Sequence, residues 1–351
     1  MLLRRSLLAA LPLMGLAAAA PAALAQQAGG GGERVLNLYS SRHYDTDRAL
    51  YDGFTQETGI RVRLVEGDAD QLIERIRSEG ANSPADVLIT VDAARLERAR
   101  AAGILRPVRS EVLESRVPPN LRDPEGHWYG VSKRARVIMY DKQRGLPDGL
   151  RRYEDLARPE FRGMVCVRSS SHPYNVSLMG SVAAANGEAA AEEWARGVVA
   201  NMARPPQGGD TPQFQAIAAG QCGLAVSNTY YLARFGASQR AEDKALYERI
   251  GVLFPNQGEG DRGTHVNVSG AGVVATSQNA EAAARFIEYL TGPRAQELFA
   301  NGNFEYPVVA DAPVAPSLAA FGNFREDRLN AARYGAASAA SLQAMQRAGW
   351  R

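Results

Sequence analysis

The strongest constraint on the fold is the regular alternation of short apolar runs with amphipathic stretches between residues 35 and 102. Residues 35–40, VLNLYS, read as a strand that ends in the polar loop Ser41-Arg42-His43-Tyr44. Asp45 or Thr46 can cap a helix running to Thr58, with Leu50, Tyr51 and Phe54 on one face and Gly59 as its stop. Residues 60–65 alternate apolar with charged side chains, as a second strand does. Asp68 or Ala69 opens a second helix, with Leu72, Ile73 and Ile76 inward and Gly80 at its end. Residues 85–90 and 92–102 repeat the pair. This rhythm implies an α/β chain with a largely parallel sheet covered by helices on both faces. Ligands of such sheets bind at the carboxyl ends of strands, where His43 and Tyr44 sit.

The rhythm breaks near Pro107, and residues 117–126 are loop-like. Two strands are predicted at 127–131 and 136–141, and around 131–140 the chain is expected to cross into a second lobe. There a strand at 164–167 leads to Tyr174, helices follow at 175–186, 188–201 and 211–220, and the strand 222–226 leads to Tyr230 and Tyr231. Residues 263–275 return the chain to the first lobe, and 327–350 read as one alanine-rich helix. The expected division is residues 34–130 and 265–351 in lobe one and 131–264 in lobe two. A hinge joins them and the ligand cleft lies between.

Residues 1–25 read as a cleaved export signal: Arg4 and Arg5, an apolar run, then Ala23-Leu24-Ala25 before Gln26. Both a general secretory and a twin-arginine route fit it. Residues 26–33 are a glycine-rich tether. Of 40 basic and 38 acidic residues the signal removes two arginines, which leaves a balanced chain with no nucleic-acid or membrane character. The two cysteines, Cys166 and Cys222, read as one disulfide in an exported chain, with two buried free thiols as the other reading. A bridge would close a loop of about 55 residues and stabilise by roughly 3–4 kcal/mol.

Three predicted strand ends carry candidate oxygen or nitrogen ligands: His43 with Tyr44, then Tyr174, then Tyr230 with Tyr231. Taken singly, each tyrosine is ordinary packing and His43 a loop histidine. His172, two residues before Tyr174, reads as a loop residue, and His127 and His265 as structural. A phenol titrates near ~10 in water, but beside a trivalent cation it becomes a hard anionic ligand.

The stretches Tyr39-Ser40-Ser41-Arg42-His43-Tyr44-Asp45, Asn82-Ser83-Pro84-Ala85-Asp86-Val87, Ala203-Arg204-Pro205-Pro206-Gln207-Gly208 and Asn228-Thr229-Tyr230-Tyr231-Leu232 change the weighing. In order and over nearly the whole exported chain, they resemble the periplasmic ferric-ion-binding proteins, best the cyanobacterial-type branch of iron ABC-transporter substrate-binding proteins. The resemblance implies a two-lobe periplasmic binding protein of type II that closes over iron and passes it to a membrane permease. It implies Tyr44, Tyr174, Tyr230 and Tyr231 as phenolate ligands, and His43 as a ligand or near-ligand. The cargo it implies is Fe3+, with Fe2+ as the second option.

Four phenolates would leave an excess of negative charge over Fe3+, and burying that excess needs a cation. Arg134 or Arg234 is the expected counter-charge. The same scaffold binding an organic solute, such as a polyamine, thiamine or a phosphonate, is the alternative. No Gly-x-Ser-x-Gly elbow or His-Glu-x-x-His motif is present, so an enzyme is not expected. The protein is expected to act as a monomer.

Overall fold

A nine-stranded sheet runs through the molecule: β1 (Val35–Ser40), β2 (Arg61–Glu66), β3 (Val87–Thr90), β4 (Leu105–Arg106), β5 (Tyr129–Asp141), β6 (Val165–Cys166), β7 (Leu224–Asn228), β8 (Ile250–Leu253) and β9 (Val266–Val274). The computed structural model describes residues 34–351; the predicted signal and tether lie outside the described residues. Strand order is β2-β1-β3-β9-β5-β7-β6, with β4 beside β9 and β8 beside β5. The β-α-β rhythm reads through: β1 is parallel to β2 and β3. Beyond β3 the pairings with β9 and then β5 are antiparallel, so the sheet is mixed. Asp68 caps the helix Ala69–Glu79 by accepting from the amides of Asp70 and Gln71. Gly59 ends the helix Arg48–Thr58 at φ 68°, a left-handed conformation that suits a residue without Cβ. Neither Asp45 nor Thr46 caps that helix by its side chain; a 3-10 turn, Asp45–Asp47, precedes it.

The crossing into the second half uses one strand rather than the two expected. β5 is continuous over 13 residues and changes partners midway. Up to Ala135 it pairs with β9, from Arg136 onward with β7, and from Ile138 also with β8. The sequence hid this because Ser132, Arg134 and Arg136 interrupt the apolar pattern. All three are buried on alternate positions of the strand, so they share one face. Two apolar clusters flank the crossing. One holds Leu36, Phe54, Leu88, Trp128 and Phe286, the other Tyr153, Leu156, Trp194, Val226 and Trp350.

The alanine-rich end forms two helices, Ala331–Ala336 and Ser338–Arg347, instead of one. The first lies hard against the helix Ala93–Ala101: a Cβ on Gly335 would stand 2.9 Å from Cγ of Glu97 and 3.1 Å from the carbonyl oxygen of Ala93. The second packs on the helices Pro173–Asn186 and Glu188–Ala200, with Met345 in the second cluster. The chain turns at Ala337 between the two. The tail thus leans on both halves. Among the described residues no helix is long and apolar enough to cross a membrane.

Cys166 and Cys222 form a disulfide across a sequence separation of 56, tying β6 to the turn before β7. Changing both to serine is expected to lower unfolding stability by about 3–4 kcal/mol in chemical denaturation, because the open chain regains loop entropy. An unchanged midpoint would show that the bridge contributes nothing.

Candidate functional site

Every candidate tyrosine stands at the start of a helical segment. β7 ends at Asn228 and the helix Thr229–Ala237 begins at once, which puts Tyr230 and Tyr231 in its first turn. Tyr174 is the second residue of the helix Pro173–Asn186, where Pro173 fits the first turn. Tyr44 immediately precedes the 3-10 turn Asp45–Asp47.

The four phenols come together. The hydroxyls of Tyr174 and Tyr230 are 3.1 Å apart, and the rings of Tyr230 and Tyr231 stack with centroids 4.2 Å apart. Tyr174 and Tyr230 are buried, while Tyr44 and Tyr231 are half-buried. Burial first, then the neighbouring phenols Tyr174, Tyr44 and Tyr231, push the Tyr230 hydroxyl well above its ordinary pKa. Burial likewise raises Tyr174, with Arg134 opposing and Tyr44 and Tyr231 adding. Tyr44 is raised by burial and Glu305, against Arg134 and Arg42. Without a cation these groups are therefore neutral phenols at neutral pH.

His43 sits beside Tyr44, its ring 5.1 Å from the Tyr44 ring, and is exposed. It lines an adjoining cavity of about 560 Å³ together with His172, Pro173 and Asp92. His172 is more than the loop residue expected. Its Nδ1 accepts from the amide of Tyr174 at 3.3 Å and caps that helix, and its ring meets the Tyr174 ring edge-on. Burial and then Arg168 hold its pKa down at about 3, so it acts as a neutral cap. His265 is buried against Ser177 and Tyr334, and His127 pairs with Asp123 at 2.8 Å. Both lie apart from the phenols in their contacts.

The two arginines expected near the site differ sharply. Arg134 is buried on the crossing strand β5 and paired with Glu305 at 2.9 Å. Glu305 also pairs with Arg42 at 3.1 Å, accepts from Ser132 at 2.7 Å, and Arg42 pairs with Asp47 at 2.6 Å. Burial alone would push the Glu305 carboxyl up; Arg42 and Arg134 outweigh it and hold the group at about 2. Two arginines against two carboxylates make this network neutral overall. It holds the Tyr44 loop to the crossing strands β5 and β9, since Arg42 also donates to Ser269 at 2.6 Å. Arg234 is different. Among the described residues it has no carboxylate partner. Its guanidinium carbon lies 5.3 Å from the Tyr44 ring centroid, 5.1 Å from that of Tyr230 and 5.9 Å from that of Tyr231. It touches phenols supplied from both sides of the crossing.

Sequence reasoning missed Arg42, Glu305, Asp210, Asn175 and Asn228, all buried around the phenols. One signal was available: Ser132, Arg134 and Arg136 recur at period two within an otherwise apolar strand, as a buried polar face does.

Comparison with known proteins places this arrangement. Residues 82–330 match the family model described as bacterial extracellular solute-binding protein. The chain is 53% identical over 321 residues to iron uptake protein A1 of Synechocystis sp., covering 92% of this chain and 89% of that protein. It is 29% identical over 303 residues to the Fe(3+)-binding periplasmic protein of Serratia marcescens, covering 84% and 85%. A solved Trichodesmium protein, IdiA (FutA) in complex with iron and citrate ligands, superposes with a TM-score of 0.86 at 53% identity, covering 90% of this chain and 100% of that one. The mixed sheet crossed by β5 and β9 is thus the two-lobe periplasmic-binding fold of type II, and the chain belongs to the bacterial extracellular solute-binding proteins, within their ferric-binding group.

Proposed function

We infer that this protein binds iron between its lobes through Tyr44, Tyr174, Tyr230 and Tyr231 and delivers it to the membrane permease of an ABC importer. It is a binding protein of the periplasm and not an enzyme. The observation that carries the reading is the convergence of four phenols from three separate segments. Two oxygens each about 2.0–2.1 Å from one small hard cation, at roughly a right angle, stand about 2.8–3.0 Å apart. The 3.1 Å between the Tyr174 and Tyr230 hydroxyls is a hydrogen-bond distance close to that spacing. The organic-solute alternative has less support. The relatives named above, which are described by their iron, point the same way.

Fe3+ is the cargo that four anionic oxygens favour. His43, stacked on Tyr44 with ring centroids 5.1 Å apart, is the further candidate ligand. Four phenolates exceed the charge of Fe3+ by one, and Arg234, which has no carboxylate partner among the described residues, is one cation that can offset it, whereas Arg134 is paired with Glu305. Lobe two contributes Tyr174, Tyr230 and Tyr231, lobe one contributes His43 and Tyr44, and the hinge lies near the partner change of β5. Export by the secretory or twin-arginine route and a monomeric state complete the reading.

Adding ferric citrate to the metal-free protein should give a visible phenolate-to-iron absorption band and one iron per chain by elemental analysis. A colourless, iron-free product would end the proposal. Arg234→Gln is expected to lower ferric affinity by about 10- to 100-fold while leaving the fold unchanged, the usual effect of removing a group that tunes a metal site from outside its ligands. Competition with a chelator measures it; unchanged affinity would assign the counter-charge elsewhere.

A further inference from the structure

Beneath Tyr174 lies a buried ionic hub with no place in the iron chemistry so far. Asp210 is fully buried at the start of the helix Asp210–Ala218. One carboxylate oxygen accepts from Arg136 at 2.9 Å and from the amide of Asn228 at 2.8 Å; the other accepts from Arg168 at 3.1 Å. Arg136 uses the same terminal nitrogen to donate to the side chain of Asn228 at 3.0 Å, and its other terminal nitrogen to donate to Asn175 at 2.6 Å. Asn175 in turn donates to the carbonyl oxygens of Arg168 and Ser169 at 2.9 and 3.1 Å.

The addresses of these partners matter. Asn175 follows Tyr174 directly, and Asn228 immediately precedes the helix Thr229–Ala237, whose first turn carries Tyr230 and Tyr231. The two arms of one guanidinium thus hold the two helix starts that bear three of the four phenols. Arg136 is also the first residue of β5 to pair with β7, across from Asn228 itself. Its guanidinium carbon lies 5.9 Å from the Tyr174 ring centroid and that of Arg168 lies 5.7 Å away. Two arginines share one carboxylate, so the hub keeps one positive charge under that ring.

We propose that Arg136, oriented by Asp210, is a positioning residue that sets the separation of Tyr174 from Tyr230 and Tyr231 before iron arrives. This rests on the iron-binding reading above. A planar fork fixed at both arms supplies a geometry that a single ammonium cannot, so lysine is not an adequate substitute. The disulfide ties β6 to the turn before β7 a few residues away, but it does not reach the two helix starts.

The test uses the whole exported protein. Arg136→Lys keeps the charge and loses the fork, Asn175→Ala removes the Tyr174 arm together with the two bonds that Asn175 gives the loop before it, and Asp210→Asn removes the anchor. Val198→Ala, a core change in the second apolar cluster with no link to the hub, controls for general destabilisation. In metal-free crystal structures the Tyr174–Tyr230 hydroxyl separation is expected to lengthen beyond hydrogen-bond reach in Arg136→Lys and Asn175→Ala and to stay at 3.1 Å in Val198→Ala. With iron, both hub variants should show a shifted phenolate-to-iron band and at least about ten-fold faster loss of iron to a chelator, as for other groups that orient metal ligands. Val198→Ala should match the wild type in both.

Hub variants that keep the 3.1 Å separation would overturn the proposal. So would hub variants with the wild-type band and release rate. A wild type that takes up no iron would defeat the functional reading alone, since the metal-free separation still judges the hub. Should Asp210→Asn not fold, the two milder variants decide.

Discussion

Replacing Tyr230 and Tyr231 together by phenylalanine is expected to weaken and shift the visible band of the ferric protein and to weaken iron binding by more than about 100-fold. That figure is the upper range for losing even a group that only orients a ligand, so it is a floor for losing two ligands. The fold should survive. Phenylalanine keeps both rings, whose stacked centroids are 4.2 Å apart, and removes only hydroxyls. The one hydrogen bond lost is that between Tyr230 and Tyr174, worth about 0.5–1.5 kcal/mol net. Visible absorption, chelator competition and thermal unfolding on one sample set separate these effects. Full iron affinity in the double variant would remove both tyrosines from the site. A large loss of stability with binding intact would recast them as packing residues.

The second large effect concerns pH. Tyr44, Tyr174 and Tyr230 all have pKa values raised above the ordinary phenol value, by burial first and by their neighbours second. Each is therefore protonated in the metal-free protein throughout the neutral range, and each must release its proton to become a ligand. The sign follows directly: lowering pH restores competition from protons, and iron affinity falls. With each of the four proposed phenol ligands giving up one proton on binding, a drop from pH 7 to pH 5 should weaken binding on the order of a hundred-million-fold. A competing chelator of known proton stoichiometry gives the slope. An affinity that does not change over that interval would mean that iron is held without displacing phenol protons. His172 does not contribute, since its pKa of about 3 keeps it neutral across the interval.

These expectations draw on two kinds of information with different origins. The strand and helix rhythm of residues 35–102, the capping Asp68, the stopping Gly59 and the disulfide cysteines were all legible in the chain, because each depends on neighbours within a few residues or on a residue type with few alternatives. So was the placement of Tyr230 and Tyr231 where β7 gives way to a helix. The continuity of β5 through the crossing was not legible. Buried arginines at 134 and 136 break the apolar pattern that marks a core strand, and only their distant partners make burial tolerable.

Local periodicity and residue chemistry thus determined which segments are strands and helices, and which phenols stand at their ends. The tertiary structure alone decided the electrostatic setting of those phenols. Glu305 reaches Arg42 across 263 residues, and Asp210 reaches Arg136 across 74. A charged side chain carries no mark in the sequence to say whether it meets water or a buried counter-ion. That depends on which surfaces the fold brings together, and it separates Arg134, neutralised by Glu305, from Arg234, left facing three phenol rings.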